Sequence, residues 1–162
     1  MRGCAYGHPV RKLTNICCEG ERIRLAGLFV AYTYTGTAIG DETNKLGVYN
    51  LTTGRLERIA KLAPHSEGAG REIETGSFVP AFTVTSRGVL VWVQDVLTSF
   101  DDPACSRCET GKFELRAADG SPLSERVVDS GKIEPRSIRV DRQERSVLYR
   151  KDGREIRAAL RR

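Results

Sequence analysis

The chain has 162 residues, of which 40% are hydrophobic and 29% charged, a composition typical of one folded domain and unlike that of a disordered segment. No window approaches the roughly 18 consecutive apolar residues of a membrane helix, so no spanning segment is predicted. The net charge of +5 is uneven, because ten basic and four acidic residues between Arg136 and Arg162 give that segment +6 and leave the remainder at −1. This concentration indicates either a surface for an acidic partner or a solvated, arginine-rich face.

Residues 1–22 are polar and irregular, and they predict an N-terminal arm packed on one β domain that spans residues 23–162. From Ile23 onward, short apolar runs alternate with turn residues, which is the pattern of successive hairpins. Glycine marks the predicted turns at Ala26-Gly27, Thr53-Gly54, Ser86-Arg87-Gly88, Asp119-Gly120 and Asp152-Gly153.

The densest apolar run lies between Phe78 and Gln94 and contains the one tryptophan of the chain, Trp92. It predicts two strands about a turn, the first alternating in polarity and the second, Val89 to Val93, almost uniformly apolar. Near the C-terminus, Arg154 to Leu160 fits either a helix or a strand. We favour the strand, because alternate residues of this segment are apolar.

Three pairs of runs share one pattern, in which an apolar-x-apolar strand and a turn precede a strand that ends in an aromatic residue. The aromatic residues are Tyr32, Trp92 and Tyr149, separated by 60 and 57 positions. The pattern predicts an all-β, antiparallel fold of about three four-stranded repeat units, propeller-like or barrel-like, in which the third unit is one strand short. It also predicts that Trp92 packs in the core.

The run from Val48 to Arg55, with the units Leu25 to Tyr32 and Val84 to Trp92, resembles the strands of TolB-like or quinoprotein-like β-propeller blades found in secreted actinobacterial proteins. The resemblance covers most of residues 23–160 and implies a propeller. The tryptophan that docks quinoprotein blades is absent after Gly54 and Gly120, so no cofactor is predicted.

Three units are fewer than the usual four to eight blades. Two ways of completing the fold remain open. Val10 to Leu13 could supply the fourth strand of the last unit, or a second copy of the chain could pair across an open edge as a homodimer.

The five cysteines, Cys4, Cys17, Cys18, Cys105 and Cys108, stand in polar, turn-like regions. Disulfides are the favoured interpretation, while a zinc site or a redox pair at Cys105-Ser-Arg-Cys108 stays open. Disulfides predict an extracellular or cell-envelope location after signal removal, with the cytoplasm as the alternative.

No pattern predicts catalysis or a resident metal. Asp95, Asp101, Asp102 and Glu109 cluster without the regular spacing of a calcium loop, and His8 and His65 lie in no nucleophile-elbow motif. We therefore expect a non-catalytic binding or interaction domain with a protein or polyanionic partner. Hydrolysis or lysis of an extracellular polymer at the aspartates is one alternative.

A second alternative is an acidic-polymer or nucleic-acid binder that acts through the arginine-rich third unit. Arginines recur every three residues at 136, 139, 142 and 145, a period that fits neither a strand face nor a helical stripe and indicates a hairpin. The predicted binding residues are Arg136, Arg139, Arg142, Arg145 and Arg154. If they converge, they suit phosphate or sulfate groups.

Overall fold

The structure, a computed structural model, describes residues 2–3, 11–12, 23–38, 41–60, 79–95, 113–120 and 124–161. In these ranges the chain forms strands, turns and no helix. The strands are β1 (Arg2–Gly3), β2 (Arg11–Lys12), β3 (Ile23–Ala26), β4 (Phe29–Ala38), β5 (Asp41–Asn50), β6 (Arg55–Ala60), β7 (Ala81–Val84), β8 (Leu90–Asp95), β9 (Phe113–Ala118), β10 (Arg126–Gly131), β11 (Ile133–Val140), β12 (Ser146–Lys151) and β13 (Arg154–Ala159).

Three antiparallel sheets follow one another along the chain. The first sheet has the order β3-β4-β5-β6, the second β7-β8-β9-β10 and the third β11-β12-β13, while β1 and β2 form a separate pair. Each main sheet is a meander in which consecutive strands are neighbours, and none of the described sheets closes into a barrel. The predicted all-β, antiparallel arrangement is confirmed, including a strand at Arg154–Ala159.

The second sheet lies between the other two, and its strand β8 is buried on both faces. Leu90 and Trp92 of β8 join a core with the first sheet, whereas Val91 and Val93 join a core with the third. Because alternate residues of a strand point to opposite faces, a strand covered on both faces needs apolar residues throughout. This explains the continuous apolar run in β8, and the predicted core position of Trp92, which is 0% exposed, is confirmed.

The repeat is also visible in strand register. Ile23 pairs with Tyr32 as Phe82 pairs with Trp92, and all three aromatic residues of the repeat are at most 2% exposed, including Tyr149. Each of these side chains lies on the second strand of its unit. The aromatic position predicted from the sequence therefore packs in every unit.

The sheets pack in series, with the first strands of neighbouring units in contact. β3 contacts β7, and β7 contacts β11. At one end of these strands the turns also meet, since a Cβ on Gly27, whose φ is +54°, would lie 3.0 Å from Cβ of Ser86. Gly54 has φ +68°, as its predicted role in the β5–β6 turn requires.

One of the two ways left open for completing the third unit was a strand from Val10 to Leu13, of which the structure describes Arg11 and Lys12. Within the described residues, Arg11–Lys12 pairs with Arg2–Gly3, and β13 remains the edge of its sheet.

Candidate binding surface of the third unit

The predicted binding arginines fall in three places on the third unit. Arg136 and Arg139 lie on β11, Arg142 and Arg145 lie in the turn between β11 and β12, and Arg154 begins β13. The expectation that the first four arginines straddle a hairpin is confirmed.

A bulge in β11 shapes the first cleft. The register between β11 and β12 shifts between Glu134 and Arg139, a stretch that contains Pro135, which has no backbone N–H to donate. The hydroxyl of Ser137 replaces part of the ladder, because it donates to the Glu134 carbonyl (2.6 Å) and accepts from the Arg150 N–H (2.7 Å).

The resulting cleft, which we call the β11 cleft, has a volume of about 830 Å³. It is lined by Pro80, Glu134, Pro135, Arg136, Ser137, Arg139, Arg150 and Glu155. Three arginines face two glutamates there, so the lining carries +1 (3 − 2).

Both glutamates of the β11 cleft already have arginine partners. Arg139 Nη2 lies 2.5 Å from Glu155 Oε2, and Arg150 Nη1 lies 4.0 Å from Glu134 Oε2, with all four side chains about half exposed. Arg136 forms no ion pair with a described carboxylate. Its guanidinium is the group most available to an external anion.

The turn after β11 is held by Asp141. Its Oδ1 accepts from the N–H groups of Arg145 (2.8 Å) and Ser146 (3.3 Å), and its carbonyl accepts from the Glu144 N–H (2.9 Å). The hydrogen bond from Arg157, together with those from the Arg145 and Ser146 N–H groups, lowers the pKa of Asp141 below its usual value. The turn thus projects Arg142 and Arg145, both exposed, from the end of the sheet.

A second cleft, the turn cleft, lies where this turn meets the β7–β8 turn of the second sheet. It has a volume of about 580 Å³ and is lined by Ser86, Arg87, Arg142, Gln143, Glu144 and Arg145. Glu144 Oε1 accepts from the Ser86 N–H (2.8 Å) and Oε2 accepts from the Ser86 hydroxyl (2.6 Å). The Arg87 guanidinium donates to the Glu144 carbonyl. Three arginines and one glutamate give this lining +2 (3 − 1).

Two arginines that line these clefts, Arg87 and Arg150, were not among the predicted binding residues. Arg87 stands in the turn of the second unit that corresponds to the turn of Arg142 and Arg145 in the third. The repeat in the sequence could therefore have indicated Arg87 as a further residue of the binding surface. Arg154 lines neither cleft, and its role as a binding residue stays a prediction.

Two buried or half-buried carboxylates fix the third sheet against the second. Burial raises the pKa of Asp119, but the hydrogen bonds and charge of Arg126 and the N–H of Arg161 outweigh burial, so the net pKa is lowered. Arg126 Nη2 lies 2.6 Å from Asp119 Oδ2 and also donates to the Ala159 carbonyl (2.9 Å). This group ties the end of β9 to the end of β13.

Asp129 on β10 makes the second connection. It accepts from the Tyr149 hydroxyl and from Lys151 Nζ, each at 2.7 Å. Burial raises the pKa of Asp129, but the hydrogen bonds from Lys151, Tyr149 and the Ser130 N–H outweigh burial. The net pKa is therefore lowered, and the carboxylate stays charged. Burial and the hydrogen bond to Asp129 raise the pKa of Tyr149, which keeps its hydroxyl protonated as the donor. The contacts of Asp119 and Asp129 therefore fix the third sheet, which carries both clefts, against the second sheet.

The Ser86–Glu144 contact provides a test of the junction between the turns. We expect Ser86→Ala to lower the free energy of unfolding by about 1 kcal/mol, because Glu144 Oε2 loses the hydrogen bond that the Ser86 hydroxyl donates to it. Urea denaturation measures this change. Ser130→Ala is the matched control, since Ser130 is exposed and contributes its backbone N–H rather than its hydroxyl to Asp129. Equal costs for both variants would contradict the contact.

Several predicted residues lie outside the described ranges. These are the five cysteines, both histidines, Asp101, Asp102 and Glu109, and the side chain of Asp95 at the end of β8 is not described either. The disulfide, zinc, redox and polymer-cleaving hypotheses accordingly stay predictions. Among the described residues, no three His, Cys, Asp or Glu side chains come together as metal ligands.

Comparisons of the chain with protein-family models, with curated proteins and with solved structures find no match. In the part of the chain that the structure describes, no helix has the length and apolar character needed to cross a membrane.

Proposed function

We propose that this protein is a non-catalytic binding domain of propeller-like units, which holds an acidic polymer on the arginine surface of its third unit. The polymer carries phosphate or sulfate groups, and binding takes place outside the cell or in the cell envelope. We use the name arginine surface for the β11 cleft and the turn cleft together.

The charge of the two clefts is the observation that carries the proposal. Their linings contain six arginines and three glutamates, a net charge of +3 (6 − 3). Glu155 and Glu134 pair with Arg139 and Arg150, whereas Arg136, Arg142 and Arg145 form no ion pair with a described carboxylate. Guanidinium groups donate in a planar fork that suits phosphate and sulfate oxygens.

The extent of the arginine surface favours a polymer over a small anion. Both clefts border β11 or the turn that follows it, and a strand of eight residues spans roughly 25 Å at 3.3 Å per residue. Charged groups repeated along a chain can contact several arginines at once. Each contact then releases counterions, which is the source of affinity for a polyanion.

The propeller-like arrangement is supported by the serial packing of the sheets. The first strands of the first two units each contact the first strand of the next unit, and every unit continues as an antiparallel meander. Antiparallel meanders arranged radially about their first strands are typical of propeller blades. In such an arrangement, turns of successive units meet at one end, as those at Gly27, Ser86 and Glu144 do.

Substitution of the β11 cleft tests the proposal. We expect the triple variant Arg136→Gln, Arg139→Gln, Arg150→Gln to bind labelled inorganic polyphosphate at least about tenfold more weakly than the unmodified protein, because up to three charged contacts are lost. Fluorescence anisotropy measures the change. Circular dichroism verifies that the variant keeps its sheet content.

A charge-matched triple variant controls for the loss of net charge. Arg55→Gln, Lys132→Gln and Arg161→Gln remove three exposed cations that line neither cleft. We expect this variant to bind polyphosphate within about threefold of the unmodified protein, since only long-range attraction falls. Equal losses in the two triple variants, or no polyphosphate binding by the unmodified protein, would overturn the proposal.

A further inference from the structure

The β7–β8 turn holds a carboxylate of its own chain. Glu144 Oε1 accepts from the Ser86 N–H (2.8 Å), and Glu144 Oε2 accepts from the Ser86 hydroxyl (2.6 Å). One exposed residue thus donates to both oxygens of a single anionic group. Two donors arranged in this way suit a pair of phosphate or sulfate oxygens as well as a carboxylate, because each of these groups presents acceptor oxygens on one charged centre. Ser86 is therefore an oxyanion site, and Glu144 occupies it.

Cations surround this contact without pairing with Glu144. Arg87, Arg142 and Arg145 line the same cleft. Among the described residues, the Glu144 carboxylate forms no ion pair, and the Arg87 guanidinium donates to the Glu144 backbone carbonyl instead. The carboxylate thus takes two neutral donors of a basic cleft, while the three guanidinium groups there have no described counter-charge.

The turn that carries Glu144 does not need a glutamate. The Glu144 N–H donates to the Asp141 carbonyl (2.9 Å), as the Gly88 N–H donates to the Thr85 carbonyl (3.0 Å) in the second unit. Both residues have a left-handed backbone conformation, with φ of +53° at Glu144 and +77° at Gly88. Glycine adopts this conformation at little cost, whereas residues with a Cβ are uncommon there. The glutamate is therefore explained by its contact with Ser86 and not by the shape of the turn.

The Glu144 side chain can leave Ser86 while the turn stays in place. Asp141 Oδ1 accepts from the N–H groups of Arg145 and Ser146, and Arg87 contacts the Glu144 carbonyl. None of these hydrogen bonds uses the Glu144 carboxylate. Rotation about the side-chain bonds of Glu144 therefore frees both Ser86 donors without a change of fold.

We infer that Ser86 binds a phosphate or sulfate group of the polymer and that Glu144 is an internal competitor for this site. On binding, the Glu144 carboxylate turns out into water, and oxygens of the polymer accept from the Ser86 N–H and hydroxyl beside the arginines of the turn cleft. The competition weakens binding, because only the fraction of molecules in which Ser86 is free accepts the polymer there. An anion must bring enough charge to displace a carboxylate, so closely spaced charges are selected over isolated ones. The inference rests on the proposed function, because it assigns a binding residue and a regulating contact to the arginine surface.

The variant Glu144→Gly tests the competition. We expect it to bind labelled polyphosphate about fivefold or more tightly than the unmodified protein, because glycine suits the turn and leaves both Ser86 donors free. Fluorescence anisotropy at a fixed salt concentration measures the change. Asp152→Gly is the matched control. It removes the same charge at an exposed residue that also has positive φ (+51°) and lines neither cleft, so we expect a change within about twofold from long-range repulsion alone.

Ser86→Ala in two backgrounds separates displacement from a charge effect. In the Glu144→Gly protein, we expect Ser86→Ala to weaken polyphosphate binding by about fivefold, because the polymer loses a hydroxyl donor. In the unmodified protein we expect a smaller loss, because the same substitution also weakens the hold of Ser86 on Glu144. Circular dichroism verifies that every variant keeps its sheet content. Unchanged affinity on Ser86→Ala in the Glu144→Gly protein, or equal gains from Glu144→Gly and Asp152→Gly, overturns the inference.

The same titrations distinguish a failure of this inference from a failure of the proposed function. If the unmodified protein binds polyphosphate and the triple variant of the β11 cleft binds it more weakly, but Glu144→Gly gives no gain, the inference alone is wrong. If neither the unmodified protein nor Glu144→Gly binds polyphosphate, the proposed function is wrong and the inference with it.

Discussion

Replacing Trp92 with alanine is expected to lower the free energy of unfolding by about 3–5 kcal/mol, the range for large aromatic residues in well-packed cores. Trp92 is 0% exposed and lies in the core that joins the first and second sheets, with Phe82 and Leu90 among its neighbours. Its removal leaves a cavity at the contact between two units. Urea denaturation, monitored by far-ultraviolet circular dichroism because the variant lacks tryptophan fluorescence, measures the change.

Val127→Ala serves as the control for this prediction, because it also removes an apolar side chain from the second sheet. Val127 is 46% exposed, and its truncation is expected to cost less than about 0.5 kcal/mol. A cost of less than about 1 kcal/mol for Trp92→Ala would mean that the contact between the first two sheets is loose, and it would contradict the serial packing described above.

The second large effect is expected at Asp119, whose substitution by asparagine should cost about 2–3 kcal/mol at neutral pH. Its side chain is 1% exposed, it pairs with Arg126, and it accepts the Arg161 N–H at 2.7 Å. Asparagine keeps one oxygen acceptor but leaves the half-buried guanidinium without a counter-charge, which is the costly way to break a buried pair. Denaturant unfolding of the two proteins gives the difference.

The pH dependence separates a charge effect from a packing effect at Asp119. Its pKa is lowered in the folded protein from the ordinary value of 3.8, so the carboxylate stabilises the fold above that value and loses this contribution as the pH falls through the folded-state pKa. We therefore expect the difference between the unmodified protein and Asp119→Asn to be constant from about pH 5 to 8 and to shrink below about pH 4. A difference independent of pH down to acid unfolding would contradict the ion pair.

Glu114→Gln is the matched control for Asp119→Asn. Glu114 lies on the same strand, β9, and its carboxylate is 2.7 Å from Arg116 Nε, but these side chains are 25% and 27% exposed. A partly exposed pair contributes less than about 1 kcal/mol. Similar costs for the two variants would show that burial does not distinguish these pairs.

The repeat in the sequence predicted most of the fold because its signals are local. Alternation, glycine turns and the recurring aromatic position located the strands of each unit, and the uniform run at Val89 to Val93 is now explained by burial on both faces. Alternation of Ile156, Ala158 and Leu160 correctly favoured a strand for the last segment. The pairing of Arg11–Lys12 with Arg2–Gly3 was not predictable in the same way, because it involves few residues and leaves no periodic pattern in the sequence.

The candidate site was predictable only in part. The four regularly spaced arginines indicated a hairpin, but their separation into two clefts follows from the bulge near Pro135 and from the contact between Ser86 and Glu144, which are 58 positions apart. A spacing pattern within one segment carries no information about such a long-range contact. The partners Arg87 and Arg150 became recognisable only when the turns and strands of neighbouring units were placed together.

The salt dependence of polyphosphate binding tests the central claim most directly. If the arginine surface neutralises phosphates, the logarithm of the association constant should fall linearly with the logarithm of salt concentration between about 50 and 200 mM, with a steep negative slope. The Arg136→Gln, Arg139→Gln, Arg150→Gln variant should show a slope smaller in magnitude by up to about 2–3, since each of the three lost contacts removes roughly 0.7–0.9. Binding that does not change with salt, or an unchanged slope in the variant, would contradict the assignment of the arginine surface as the binding site.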